Sequence, residues 1–240
     1  MTMYSRPPIA PATFYDAAGN VIPYGARWEQ GPPDDSYEVV EHPERFAPLH
    51  TVAEALIDSL SDRYDVSVDE GLHLTADLPH PGETEGIARA VRLAPNAEGC
   101  APIVFILWDF PSVTLHAGAL FETTHPSCGC NACDETWDSE ADELEWQTLA
   151  VVEGRLSERV GDPRRPTWSF DWGRGFVKGT GQSVKLRIRS RGGDRASGSE
   201  REISSLPAPV VARVHGLLDR LAEHSPEGTW KPWPLREPSG

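Results

Sequence analysis

Long apolar runs are missing from this chain. The longest, Ile103–Trp108, stops at Asp109, far short of the roughly 20 residues that a membrane-spanning helix needs. The opening Met1-Thr-Met-Tyr-Ser-Arg-Pro-Pro has no apolar segment of the secretory kind, so the expected location is the cytoplasm, with no membrane partner. Cysteine is scarce: four in 240 residues cannot staple a protein of this size. Positive charge is scarce as well. Lys and Arg number 22 against 37 Asp and Glu, a formal net charge of −15. That balance disfavours nucleic acid and leaves a basic protein as the partner that charge alone would select, although acidity also serves plain solubility. No His-x-x-x-His pair, nucleophile elbow or dinucleotide fingerprint is present, and whether the chain is an enzyme stays open. Gly173-Arg-Gly175 and Gly179-Thr-Gly181 lack the Lys-Ser/Thr end of a phosphate loop and read as hairpin turns.

What is present is an ordinary globular balance, 39% hydrophobic and 25% charged, and a length that suits one domain over residues 1–240. Residues 1–40 are rich in proline, glycine and aromatics, with Phe14, Tyr15, Tyr24 and Trp28, and predict an extended arm packed on the core. Phe46, Leu49, Val52, Leu56, Leu60 and Tyr64 recur at helical steps, with Pro48 suited to a first turn. The period then changes. Ile87–Leu93 is ambiguous between strand and helix, Ile103–Trp108 is continuously apolar, and Val113, Leu115, Ala117, Ala119 and Phe121 alternate. With a turn at Asp109-Phe110-Pro111-Ser112, these predict a three-stranded antiparallel meander whose middle strand is buried on both faces.

A long helix is expected over Asn131–Glu158, with Glu135, Asp138, Asp142 and Glu145 on its solvated face. Two strands follow, around Trp168-Phe170-Trp172 and Val184-Leu186-Ile188, then a mobile loop over Ser190–Glu200. A third helix begins near Pro209, and residues 225–240 form a proline-aromatic strap. The fold class is therefore α+β: an antiparallel meander packed by about three helices, with extended arms at both ends.

The strongest chemical signal is Cys128-Gly-Cys130-Asn-Ala-Cys133. Thiolates bind zinc tightly, and close spacing lets one loop supply several ligands at low entropic cost. Gly129 would allow the tight turn, and Asn131 as helix cap would set Cys133 in a first helical turn, where free amides favour a thiolate. Three sulfurs need a fourth ligand. His125 is the nearest candidate; His116, Cys100 or a water would also serve. A protein ligand makes the site structural, and a water leaves it open for catalysis. Two other readings stand beside zinc: a Cys130-x-x-Cys133 redox pair after a strand, and three reduced thiols without a ligand. A second asymmetry lies between Arg174 and Arg201, where eight basic residues meet only Asp194 and Glu200. Lys185, Arg187 and Arg189 would share one strand face, either as an anion site or as the counterpart of the acidic helix.

Three stretches together carry a likeness: Val39-Val-Glu-His-Pro-Glu-Arg-Phe-Ala-Pro-Leu-His50, Val113-Thr-Leu-His-Ala-Gly-Ala-Leu120 and Pro126-Ser-Cys-Gly-Cys-Asn-Ala-Cys-Asp-Glu135. The sequence resembles an actinobacterial family of uncharacterised proteins, a domain of unknown function, from Tyr4 to about His224. The resemblance implies a bacterial, cytoplasmic, single-domain protein and supplies no catalytic residues. The expected function is a zinc-stabilised binding module. The alternatives are a zinc-dependent hydrolase with an open metal site, or an acidic immunity-type partner of a basic protein.

Overall fold

The computed structural model describes residues 4–78, 84–161, 167–171, 175–179, 182–204 and 206–237. Trp172, Gly173, Arg174, Thr180 and Gly181, all singled out above, lie outside the described residues, and of residues 167–171 and 175–179 only the backbone is described.

Helix α1 (Pro48–Arg63) forms where the apolar stripe and Pro48 place it. Leu49, Val52, Ala53, Leu56, Ile57 and Leu60 are buried, while Glu54, Asp58 and Asp62 recur every fourth residue on the exposed side. Five strands follow in one antiparallel meander: β1 (Val66–Glu70), β2 (Ile87–Pro95), β3 (Ile103–Trp108), β4 (Val113–Ala117) and β5 (Phe121–His125), neighbours in that order. The ambiguous Ile87–Leu93 segment is a strand. Strand β3 is buried on both faces: Ile103, Phe105 and Leu107 enter the main core, while Val104 and Ile106 join a smaller cluster with Leu74, Leu78 and Ala90.

The expected third strand, Val113–Phe121, is instead a hairpin. Gly118 takes φ 60° and turns the chain, yet Ala119 and Leu120 in the turn are fully buried. Apolar alternation therefore runs on through a turn that a solvated hairpin would mark with polar residues. Helix α2 covers only Trp137–Val152, not Asn131–Glu158. The Thr136 side chain accepts from the Ser139 amide at its start, and Gly154 at φ 71° ends it, leaving Leu156 to begin a strand. Its acidic face is also less solvated than expected. Arg6 lies 2.6 Å from Asp138 and 2.7 Å from Glu145, with Asp142 beside it, and the Tyr4 hydroxyl donates to Glu145.

A second sheet has the order β10-β9-β6, with β6 (Leu156–Val160), β9 (Ser183–Arg189) and β10 (Ala196–Glu202). Between them β7 (Thr167–Asp171) pairs antiparallel with β8 (Gly175–Gly179). The expected loop Ser190–Glu200 is thus a short turn followed by a strand. Strand β10 carries no large apolar side chain because it is almost wholly exposed, held by its ladder to β9. Helix α3 (Ala208–His224) buries Val210, Val214, Leu218 and Leu221. One buried cluster joins all three helices with residues of both sheets and Trp230 and Trp233. Thr229, Lys231 and Leu235 bridge to Ser157, Cys100 and Tyr64 in turn.

Candidate metal centre

The three cysteines sit in the connection between β5 and α2. Their sulfur atoms all lie within 4.8 Å of one another, and the Cys128 and Cys130 sulfurs are 3.2 Å apart. All are reduced: Cys130 is buried, Cys128 half-buried and Cys133 exposed. The loop is held from two sides. Glu135 closes it on itself, accepting from the Ser127 hydroxyl at 2.7 Å and the Cys128 amide at 3.0 Å. Residues 27–45 clamp it from outside. The Asn131 amide donates to Val39 O at 2.8 Å, its side-chain amide donates to Glu41 Oε2 at 2.9 Å, and its carbonyl accepts from the Trp28 indole at 2.9 Å. Asp134, at φ 53°, accepts the Arg27 amide. Arg45 Nη2 donates to Gly129 O at 2.8 Å.

This corrects two local expectations. Asn131 is no helix cap but a joint to Glu41, so Cys133 has no helix terminus beside it. Gly129 does not serve a left-handed turn either. A Cβ there would meet Phe110 Cζ at 2.6 Å, so glycine is needed to admit the Phe110 ring.

Burial of Cys130 works against its ionisation, but the Cys133 amide, the Cys128 and Cys133 thiols and the Ala132 amide outweigh it and lower its pKa to about 7. The hydrogen bond with Cys128, then desolvation, pushes Cys133 up to about 12. Cys130 therefore gives up its proton more readily than Cys133. The donor set fits zinc. Zinc–sulfur bonds of about 2.3 Å in a tetrahedron separate sulfurs by about 3.8 Å, between the 3.2 Å pair and the 4.8 Å limit seen here.

The other candidates do not join the sulfurs. His125, buried at the end of β5, lies 2.9 Å from Glu140 through Nδ1 and 3.2 Å from Gln147 through Nε2. His116 lies on β4, 3.7 Å from Glu122, with neither ring nitrogen hydrogen-bonded. The Cys100 thiol points to Pro232 O at 3.4 Å, and burial raises its pKa.

With the geometry described, comparison with known sequences decides one point. A family model matches residues 10–237. The chain belongs to DUF6226, a family of unknown function. No curated protein and no solved structure matches, so the family carries no activity to this site. Among the described residues no helix is long and apolar enough to cross a membrane.

Sequence reasoning missed two groups. Arg45 is only 3% exposed and stacks over the Tyr24 and Phe46 rings at 4.4 and 4.2 Å. Nothing in its sequence neighbourhood separates it from a surface arginine. Glu158 is 1% exposed. Its oxygens accept from the amides of Ala119 and Leu120 at 2.7 Å, from Phe121 at 3.0 Å and from the Trp230 indole at 2.8 Å. A signal did exist for it. Leu156, Glu158 and Val160 share one strand parity, which sets a carboxylate on an apolar face, but the residue was hidden inside an over-long helix.

Proposed function

We propose that this protein is a zinc-stabilised binding module in which Cys128, Cys130 and Cys133 hold one metal ion and a water completes its shell. The observation that carries the reading is the gathering of three reduced thiols within 4.8 Å. Such a cluster, with the Cys130 thiol already favoured to ionise, gains from a dication the positive charge that its thiolates need. The reading is structural rather than hydrolytic because the loop's outward hydrogen bonds go to residues 27–45, so the ion would lock that segment to the sheet. A pocket of about 320 Å³ lies beside Arg45, between Phe14, Tyr24 and Trp137, and none of the three cysteines lines it.

Elemental analysis of protein purified without chelator tests the proposal, with about one zinc per chain expected. Absence of metal, together with native thiols that react freely with a thiol reagent, would overturn it. A metal-free protein that loses two hydrogens to a mild oxidant would assign the loop to redox chemistry instead.

A further inference from the structure

The face of the second sheet that points away from the core carries an unusual charge pattern for so acidic a chain. Arg159 on β6 and Lys185, Arg187 and Arg189 on β9 line a groove of about 1030 Å³ in which, among the described residues, five basic side chains meet only Glu200 and Glu227. Arginines nearby are paired: Arg155 and Arg191 with Glu153, and Arg195 with Glu143 at the edge of α2. The four groove cations are not. Among the described residues none of them has an ion-pair partner. Arg159 and Lys185 are direct cross-strand neighbours, an arrangement of like charges that weakens a sheet.

The floor is bare beside Arg187 and Arg189, whereas Glu200 lies opposite Lys185. Strand β10 sets Gly198 opposite Arg187 and Ala196 opposite Arg189. Gly198 is not required by its backbone, for it has no left-handed φ, and a Cβ there would find its nearest neighbour, Leu186 O, at an ordinary 3.4 Å. A strand-interior glycine weakens a sheet and commonly marks a place where another backbone comes close. Strand β10 is also an edge, paired with β9 alone among the described residues.

We propose that this face binds an extended acidic polypeptide segment, which pairs with the free edge of β10 and lays alternate carboxylates across Gly198 and Ala196 onto Arg187 and Arg189. Alternate residues of a strand repeat at about 6.7 Å, the spacing of the three β9 cations themselves. A peptide suits the face better than a nucleic acid. Among the described residues no aromatic side chain lines the groove to stack a base, and the net charge of −15 opposes a long polyanion more than a short segment. The inference stands apart from the cysteine site.

The test is fluorescence anisotropy at low ionic strength with a labelled peptide of about twelve residues alternating Glu and Thr. Two competitors accompany it: the same peptide with Gln for every Glu, and an oligothymidylate of similar length. The acidic peptide should bind, the Gln peptide should not, and Arg187→Gln with Arg189→Gln should weaken binding about fivefold to tenfold. An unchanged thermal melt would show that the double variant still folds. If it melts early, the single Gly198→Phe variant, which fills the floor and keeps every charge, should weaken the peptide instead. Tighter binding of the oligothymidylate overturns the proposal in favour of nucleic acid. Equal binding of the Glu and Gln peptides, or no binding of the Glu peptide, overturns it outright.

Discussion

Two regions of this molecule gather acidic groups in or beside the core, and they handle them in opposite ways. At the β4–β5 turn, the Glu158 carboxylate is surrounded by four N–H donors that the chain itself supplies. At the cysteine loop, Cys130 is supported by the two neighbouring thiols and by the amides of Cys133 and Ala132. The first region is complete as built, and removing either side leaves the other unsatisfied. The second gathers three thiols that a cation would complete. A buried anion thus distinguishes a structural post from a candidate binding site by whether the protein has furnished its donors.

The largest expected effect lies at the post. Glu158→Ala strands four buried donors and should lower the unfolding free energy by about 3–5 kcal/mol in urea titration. A loss below about 1 kcal/mol would mean that water replaces the carboxylate easily and the contrast is false. Gly118→Ala attacks the same turn from its other side. Its Cβ would meet Glu158 Oε2 at 2.2 Å in a residue that also needs φ 60°.

Glu158 also carries a pH signature. Desolvation raises its pKa, against the pull of the Ala119 and Leu120 amides and the Trp230 indole. The folded state therefore holds this proton more readily than the unfolded chain, and stability falls as pH rises from the ordinary glutamate range through the raised value. Wild type minus Glu158→Gln isolates the effect, because other carboxylates cancel in the difference. That difference should be greatest in acid and shrink as pH rises, and a difference that grows with pH would refute the assignment.

At the loop, chelation should cost the wild type about 2–3 kcal/mol in thermal unfolding while leaving Cys130→Ser unmoved. Equal sensitivity of the two proteins would separate the cysteines from any bound metal. His125→Ala is expected to act more weakly. It breaks the contacts to Glu140 and Gln147 and should cost about 1–2 kcal/mol, yet zinc content should stay near that of the wild type. Loss of zinc in this variant would restore the histidine as fourth ligand and require the loop to rearrange.

Sequence pattern and structure agree where one periodicity meets one environment. Helix α1, strand β3 and the Val184-Leu186-Ile188 face are legible because their apolar residues repeat without interruption against a continuous core. The pattern misleads where a polar job is done inside the core. Ala119 and Leu120 prolong a strand rhythm through a turn because Glu158, 38 residues further on, satisfies the turn's amides. Setting the helix end at that same glutamate carries α2 past its actual end before Gly154. Strand β10 was invisible for the converse reason, since an edge strand exposed on both faces needs no apolar alternation. At the cysteine site the spacing identifies the sulfurs, but the clamp of residues 27–45 joins segments about 90 positions apart and has no local sign.

The Trp230 indole that completes the Glu158 shell arrives 72 residues after the glutamate. At synthesis rates of about 5–20 residues per second, a growing chain carries that carboxylate for roughly 4–15 s before its last donor exists. The hairpin at Gly118 and the α2–β6 junction therefore gain their full set of contacts only after Trp230 has been made. A ribosome stalled before Trp230 would hold a chain whose β4–β5 hairpin exchanges its amide protons freely, and release of a few more residues would protect them.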